Sequence, residues 1–143
     1  MIKLSTKGRY GTRFMLNLAR RYKNGDITAS LKTISEEEEI SAQYLDSVIV
    51  PLKNNKIIKI TRGARRGYAL ARPPSEIQLI EIIEALEGPV SLVSCVDDNE
   101  YCHRVSICTT YEIWKELSYL LREHLEKLSL QDLANISMKK HPK

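Results

Sequence analysis

The stretch Ser30–Leu70, SLKTISEEEEISAQYLDSVIVPLKNNKIIKITRGARRGYAL, switches from one periodicity to another. Up to Leu52 the apolar residues recur at helical spacing. Leu31 and Ile34 follow a capping Ser30, and Tyr44, Leu45, Val48, Ile49 and Leu52 follow a capping Ser41. Only a few residues separate these two helices. Ile57-Ile58-Lys59-Ile60 and Tyr68-Ala69-Leu70 then read as short strands around the glycine-bearing, arginine-rich turn Thr61-Arg62-Gly63-Ala64-Arg65-Arg66-Gly67. Helix, tight turn, helix and basic hairpin is the order of a winged helix-turn-helix. Two positions strain against it. Pro51 deletes the hydrogen bond to the Ser47 carbonyl, so the second of these helices is expected to bend or end early. Glu39 occupies the turn where a left-handed glycine would be easiest, at about 1 kcal/mol if that conformation is kept.

Upstream, Tyr10, Phe14, Met15, Leu18, Ala19 and Tyr22 form a helical stripe that Asn24-Gly25-Asp26 ends with turn chemistry. Downstream, Pro73-Pro74 breaks the chain. Ser75-Glu76-Ile77-Gln78 reads as a capping box for a helix bearing Ile77, Ile80, Ile83 and Leu86, stopped by Gly88-Pro89. From about 89 to 110 no periodicity is sustained. A last long helix carries Ile113, Trp114, Leu117, Leu120, Leu121, His124, Leu125 and Leu128, with Lys115, Glu116, Arg122, Glu123 and Lys127 on its other face. So apolar a stripe in a small chain is expected to pack on its own copy, giving a homodimer. The expected architecture is mostly α with a small β wing. It divides into a winged helix-turn-helix over 1–74, a cysteine-bearing loop with dimerisation helices over 75–136, and a disordered tail over 137–143.

The chain has 143 residues, 43% hydrophobic and 28% charged, with a net charge of +4. It can bury a core without metal or disulfides, so any metal would serve function rather than folding. No apolar run reaches the roughly 18 residues a membrane span needs. The basic start, Met1 to Tyr10, is not followed by an apolar leader segment, and a cytoplasmic location is expected. No nucleophile–base pair, phosphate loop or metal–carboxylate pair appears, which argues against an enzyme. The positive charge is concentrated in Lys3, Lys7, Arg9 and Arg13 and again in Lys59, Arg62, Arg65, Arg66 and Arg72, as for two contacts with a polyanion such as double-stranded promoter DNA. The helix after Ser41 presents Ser41, Ala42, Gln43, Asp46 and Ser47, with Lys53 near its far end; short polar groups at a helix start are suited to base edges in a major groove. Arg62 at the hairpin is placed to enter a minor groove, Arg65 and Arg66 to meet phosphates, and Lys3, Thr6 and Arg9 to reach the backbone from the other side.

All three cysteines fall in the aperiodic segment, as Cys95-x6-Cys102-x5-Cys108. An odd count in a reducing compartment argues against a structural disulfide. Clustered soft thiolates suit an iron-sulfur cluster, zinc or copper(I), or redox-active thiols without metal. Zinc-knuckle spacing is absent, although His103 would complete a Cys3His set.

The residues Lys3-Leu4-Ser5-Thr6-Lys7-Gly8-Arg9-Tyr10, Ile34-Ser35, Ile40-Ser41, Tyr44-Leu45, Arg62-Gly63, Gly67-Tyr68-Ala69-Leu70 and the three-cysteine loop before Trp114 resemble the BadM/Rrf-type regulators, in particular those governing iron-sulfur cluster assembly. The resemblance extends to about Asn135. It implies a repressor-type homodimer crossed through the last helix, recognition by Ser41, Gln43, Asp46 and Ser47, and minor-groove insertion by Arg62. It also implies an iron-sulfur cluster, [2Fe-2S] rather than [4Fe-4S], on Cys95, Cys102 and Cys108, target genes of cluster assembly or related iron and sulfur metabolism, and cluster-assembly proteins as further partners. A cluster-free regulator of cysteine metabolism, acting through thiols or a partner protein, is the alternative within the family. The pattern breaks at the fourth ligand. The histidine expected three residues after the third cysteine is Tyr111 here, and the acidic residue that related nitric-oxide sensors take from the other protomer's first helix corresponds to Arg9. His103 and Glu112 are the candidates that remain, with Asp97, Asp98, Glu100 or a small external thiol as alternatives.

Overall fold

The computed structural model describes residues 2–23, 27–62 and 66–141. Its elements are α1 (Thr6–Lys23), α2 (Leu31–Glu38), α3 (Ala42–Asn54), β1 (Ile58–Thr61), β2 (Gly67–Leu70), α4 (Leu79–Glu87), the single turn α5 (Ser94–Asp97), α6 (Thr109–Lys127) and α7 (Leu130–Lys140).

Serine caps set the helix starts. Ser5 Oγ accepts the Gly8 N–H at 3.0 Å, Ser30 Oγ that of Thr33 at 3.1 Å, and Ser41 Oγ that of Tyr44 at 3.1 Å. Phe14, Met15 and Leu18 of α1, Ile34 of α2 and Leu45, Val48 and Leu52 of α3 meet in one buried core. α1 comes close enough to α4 that a Cβ on Gly11 would lie 2.3 Å from Leu86 Cδ1. Glu39 is left-handed, at φ 56° and ψ 41°. The Ile40 N–H closes that turn onto the Ser35 carbonyl at 3.2 Å, and the Ser35 hydroxyl donates to the Ile40 carbonyl at 2.6 Å.

The acidic run after Ser35 is spent on pairing α2 with α1. The Asn17 amide donates to Glu37 at 2.8 Å and to Glu38 at 3.0 Å, Arg21 reaches Glu37 at 2.6 Å, and Arg13 donates to both the carboxylate and the carbonyl of Glu38. Burial opposes ionisation of Glu37, but the Asn17 and Arg21 contacts outweigh it and hold its carboxyl below the ordinary value.

Helix α3 does not end at Pro51; it runs to Asn54. One lost hydrogen bond and the ring clash cost about 3 kcal/mol, whereas burying Val48, Ile49 and Leu52 returns roughly 1.5–3 kcal/mol for each. The hairpin pairs Ile58 with Leu70 through to Thr61 with Gly67, and Ala29 bridges to Tyr68 through hydrogen bonds of 3.1 and 2.8 Å.

Two expectations are corrected beyond the wing. The helix expected from Ser75 is only a 3-10 turn, Pro74–Glu76, and α4 starts at Leu79 with the Gln78 N–H held by Glu81 Oε2 at 2.8 Å. Ile77 is diverted into an extended bridge: its carbonyl accepts the Leu130 N–H at 2.8 Å, and Leu79 N–H donates to the Leu128 carbonyl at 2.8 Å. The disorder expected from residue 137 is replaced by helix to Lys140. Ser129 and Asp132 box its start, at 3.1 and 2.8 Å, and Leu130 and Ala134 insert into the core beside α1. The C-terminal helix therefore stabilises the N-terminal unit.

Candidate DNA-reading face and cysteine loop

Leu45 and Val48 anchor α3 from below, which leaves Gln43, Asp46 and Ser47 exposed on its outer side beside the exposed cap Ser41. Two hydroxyls are engaged within the helix: Ser41 Oγ caps it, and Ser47 donates to the Tyr44 carbonyl at 2.6 Å, which leaves Gln43 and Asp46 as the members turned to solvent without such a bond. Tyr44 itself meets Tyr10 edge to face, with centroids 5.4 Å apart, and the guanidiniums of Arg9 and Arg13 lie 5.6 and 5.5 Å from the Tyr10 ring. That cluster fixes α3 against α1.

Lys3, Thr6 and Arg9 come together at the start of α1, all exposed, with Arg9 Nη2 3.3 Å from the Thr6 hydroxyl. Arg62 and Arg66 flank the hairpin tip, and both are exposed. Arg65, with Gly63 and Ala64, lies outside the described residues. A cleft of about 570 Å³ lies between the end of α3 and the hairpin, lined by Lys53, Lys59, Arg62 and Arg66. The strand alternation that buries Ile58 turns Lys59 outward, so this fourfold cationic set unites the α3 end with the wing. Lys59 belongs to the second basic cluster already read from the sequence, and Lys53 comes from the last turn of α3; what the sequence did not show is that the two line one cleft.

The cysteine loop joins α4 to α6. Cys95 sits in α5, Cys102 in the irregular segment that follows and Cys108 at the cap position of α6; all three are free thiols of intermediate exposure. The Thr110 hydroxyl, 3.3 Å from Cys108 Sγ, holds this thiol below its ordinary pKa, helped by the Tyr111 N–H and by the charge of Arg104. The loop is pinned from inside. Tyr111, at the position where the resemblance implied histidine, is buried, and its hydroxyl donates to Asn99 at 3.0 Å; buried Ser118 accepts the Leu92 N–H at 3.0 Å. His103 and Glu112 are exposed, Glu112 in the first turn of α6. The donor set suits a thiophilic metal group in kind. In placement it does not, because among the described residues no three His, Cys, Asp or Glu side chains converge as a ligand set.

Helix α6 leaves Ile113, Trp114, Leu117, Leu120 and Leu121 between 39% and 55% exposed, a continuous apolar stripe on one chain.

Residues 4–136 match the family described as "Rrf2: Iron-dependent Transcriptional regulator". The chain belongs to the Rrf2 family. Its relatives in this family include the HTH-type transcriptional regulator CymR of Bacillus subtilis (strain 168), 38% identical over 134 residues, or 94% of this chain and 91% of that one. Among solved structures, CymR (YrzC), titled the global cysteine regulator of B. subtilis, superposes with a TM-score of 0.77 at 36% identity over 95% of this chain and 98% of the other. The IscR of T. potens gives a TM-score of 0.79 at 31% identity, covering 98% and 91%. The Rrf2 fold here is thus a mostly helical winged helix-turn-helix with a two-stranded wing, and the chain is a transcriptional regulator. Among the described residues, no helix is long and apolar enough to cross a membrane.

Proposed function

We propose that this Rrf2 protein is a homodimeric repressor that reads promoter DNA with α3 and the wing, under the control of the three-cysteine loop. The observation that carries the DNA reading is the joining of Lys53, Lys59, Arg62 and Arg66 around one cleft at the end of α3, the helix whose start exposes Ser41, Gln43, Asp46 and Ser47. Gln43 and Asp46 have the chemistry to read adenine and cytosine edges, Arg62 to enter the minor groove, and Lys3, Thr6, Arg9 and Arg66 to meet phosphates; Arg65 carries the same assignment. The apolar stripe of α6 pairs with its copy and sets the spacing of two such heads.

For control, the first reading is an iron-sulfur cluster, [2Fe-2S] in type, bound through Cys95, Cys102 and Cys108 with His103 or Glu112 as fourth ligand, and with iron and sulfur metabolism as the regulated genes. Three free thiols within one loop support it. When bound, such a group would supply redox and ligand-exchange chemistry; binding it requires the loop to change path, because the thiols do not converge as they stand. That same lack of convergence, with the likeness to a global cysteine regulator, favours a second reading, in which the thiols themselves or a partner protein carry the signal.

One preparation tests all of this. Anaerobically purified protein is expected to show charge-transfer absorption between iron and sulfur and about two irons and two sulfides per chain if [2Fe-2S] is right. Substituting any one of the three cysteines with serine should abolish the absorption; a colourless protein free of iron and sulfide would leave the thiol reading. Arg62→Ala is expected to weaken promoter binding by about tenfold or more and to flatten the dependence on salt by about one charge per protomer, about two for the dimer. Unchanged affinity and an unchanged salt slope would refute the wing's role.

A further inference from the structure

Glu87 is the last residue of α4, immediately before the cysteine loop. Its Oε1 accepts the backbone N–H of Ser5 at 2.7 Å, and Ser5 is the residue whose hydroxyl caps α1. The carboxylate rests on the first turn of α1 so closely that a Cβ on Gly8 would come within 2.7 Å of it. A negative charge is favoured there, where the helix's first N–H groups have no carbonyl partner in the helix itself. On its other side the chain turns sharply: Gly88 has φ 87° and ψ −167°, a combination open essentially to glycine alone. The N-terminal arm, residues 2–9, and the loop then face each other across a cavity of about 480 Å³, lined among others by Lys3, Leu4, Pro89, Val90 and Leu121.

We propose that Glu87 is a positioning residue that couples the cysteine loop to the N-terminal arm. Its carboxylate clasps the segment bearing Lys3, Thr6 and Arg9, and its backbone leads directly through the Gly88 hinge into the loop bearing Cys95. A change in the path of the loop turns the carboxylate, releases the Ser5 N–H and loosens the arm. By reciprocity, holding the arm on a polyanion restrains the loop. The inference rests on the reading that the arm meets DNA and that the loop receives the signal.

The test is hydrogen exchange followed by mass spectrometry on the full-length, reduced, metal-free protein, before and after alkylation of its thiols with N-ethylmaleimide. In the parent protein, alkylation is expected to speed exchange at residues 5–9 by about threefold to tenfold, the worth of one hydrogen bond. In Glu87→Ala those amides exchange fast from the start and no longer respond. Glu87→Gln, whose amide oxygen still accepts from Ser5, keeps the response. Unaltered protection of residues 45–52 certifies each variant as folded. An arm that ignores alkylation in the parent, or that still responds in Glu87→Ala, overturns the proposal. Binding of the untreated parent to a mixed-sequence 30-base-pair duplex at low salt is measured alongside. Its absence would overturn the DNA reading without altering the exchange result.

Discussion

Leu117→Glu is expected to break the proposed α6 pairing into monomers and to reduce affinity for a two-half-site promoter by about 10² to 10⁴-fold, the loss when a bivalent contact becomes univalent. Leu117 is 42% exposed in the single chain and stands at the middle of the α6 stripe, between Trp114 and Leu120. A two-fold axis through this helix would bring the stripe against itself, so each substitution enters the interface twice. Burying a carboxylate there without a partner is unfavourable by several kcal/mol, whereas on an isolated α6 the same residue lies in water at little cost. The two measurements are sedimentation velocity across a concentration range and DNA titration with one and with two half-sites. A variant that stays dimeric, or one that becomes monomeric yet keeps full affinity for the paired sites, would show that α6 does not set the spacing of the reading heads.

What the sequence disclosed and what it hid follow one physical rule. α1, α3 and α6 were legible because each carries several large apolar residues at one helical spacing, and the wing because Ile57-Ile58-Lys59-Ile60 and Gly67-Tyr68-Ala69-Leu70 bracket an arginine-rich turn. Pro51 looked like an end because a local hydrogen-bond count omits the burial that Leu52 contributes from the far side. The start of α4 was misplaced because Ile77 answers to a segment 53 residues further along: its carbonyl belongs to Leu130. α7 escaped notice because its inward face is built from Leu130, Ala134 and Ser137, too small and polar to register as a stripe, although Ser129 and Asp132 stood at capping-box spacing. At the site, residue types were readable and their convergence was not. The four cations of the α3–wing cleft are brought together by the fold, and the three thiols, equally close in sequence, are not brought into one ligand set.

The helix that sequence reading missed gives the largest effect on stability. Leu130→Ala is expected to destabilise the protein by about 2–5 kcal/mol, since the side chain is 0% exposed in a packed core and its removal leaves a cavity as well as lost transfer energy. Against a typical total of about 5–15 kcal/mol, that is a large share of the whole. The loss should be felt far from the mutation. Leu130 N–H and Leu128 C=O clamp Ile77 and Leu79, and α7 lies along α1, so the strand-like bridge, α4 and α1 loosen together. DNA affinity should therefore fall with thermal stability in Leu130→Ala and recover at lower temperature, whereas Arg62→Ala should lose affinity with its melting curve unmoved. Met138→Ala serves as the internal control: it lies on the same helix but is 43% exposed, and a surface change of that kind is expected within about 0.5 kcal/mol of the parent. If Leu130→Ala melted with the parent, α7 would be an appendage; if it unfolded α6 alone and left the winged helix intact, the core would be two independent units. A single cooperative transition, shifted as a whole, is the outcome that a C-terminal helix inserted into an N-terminal core requires.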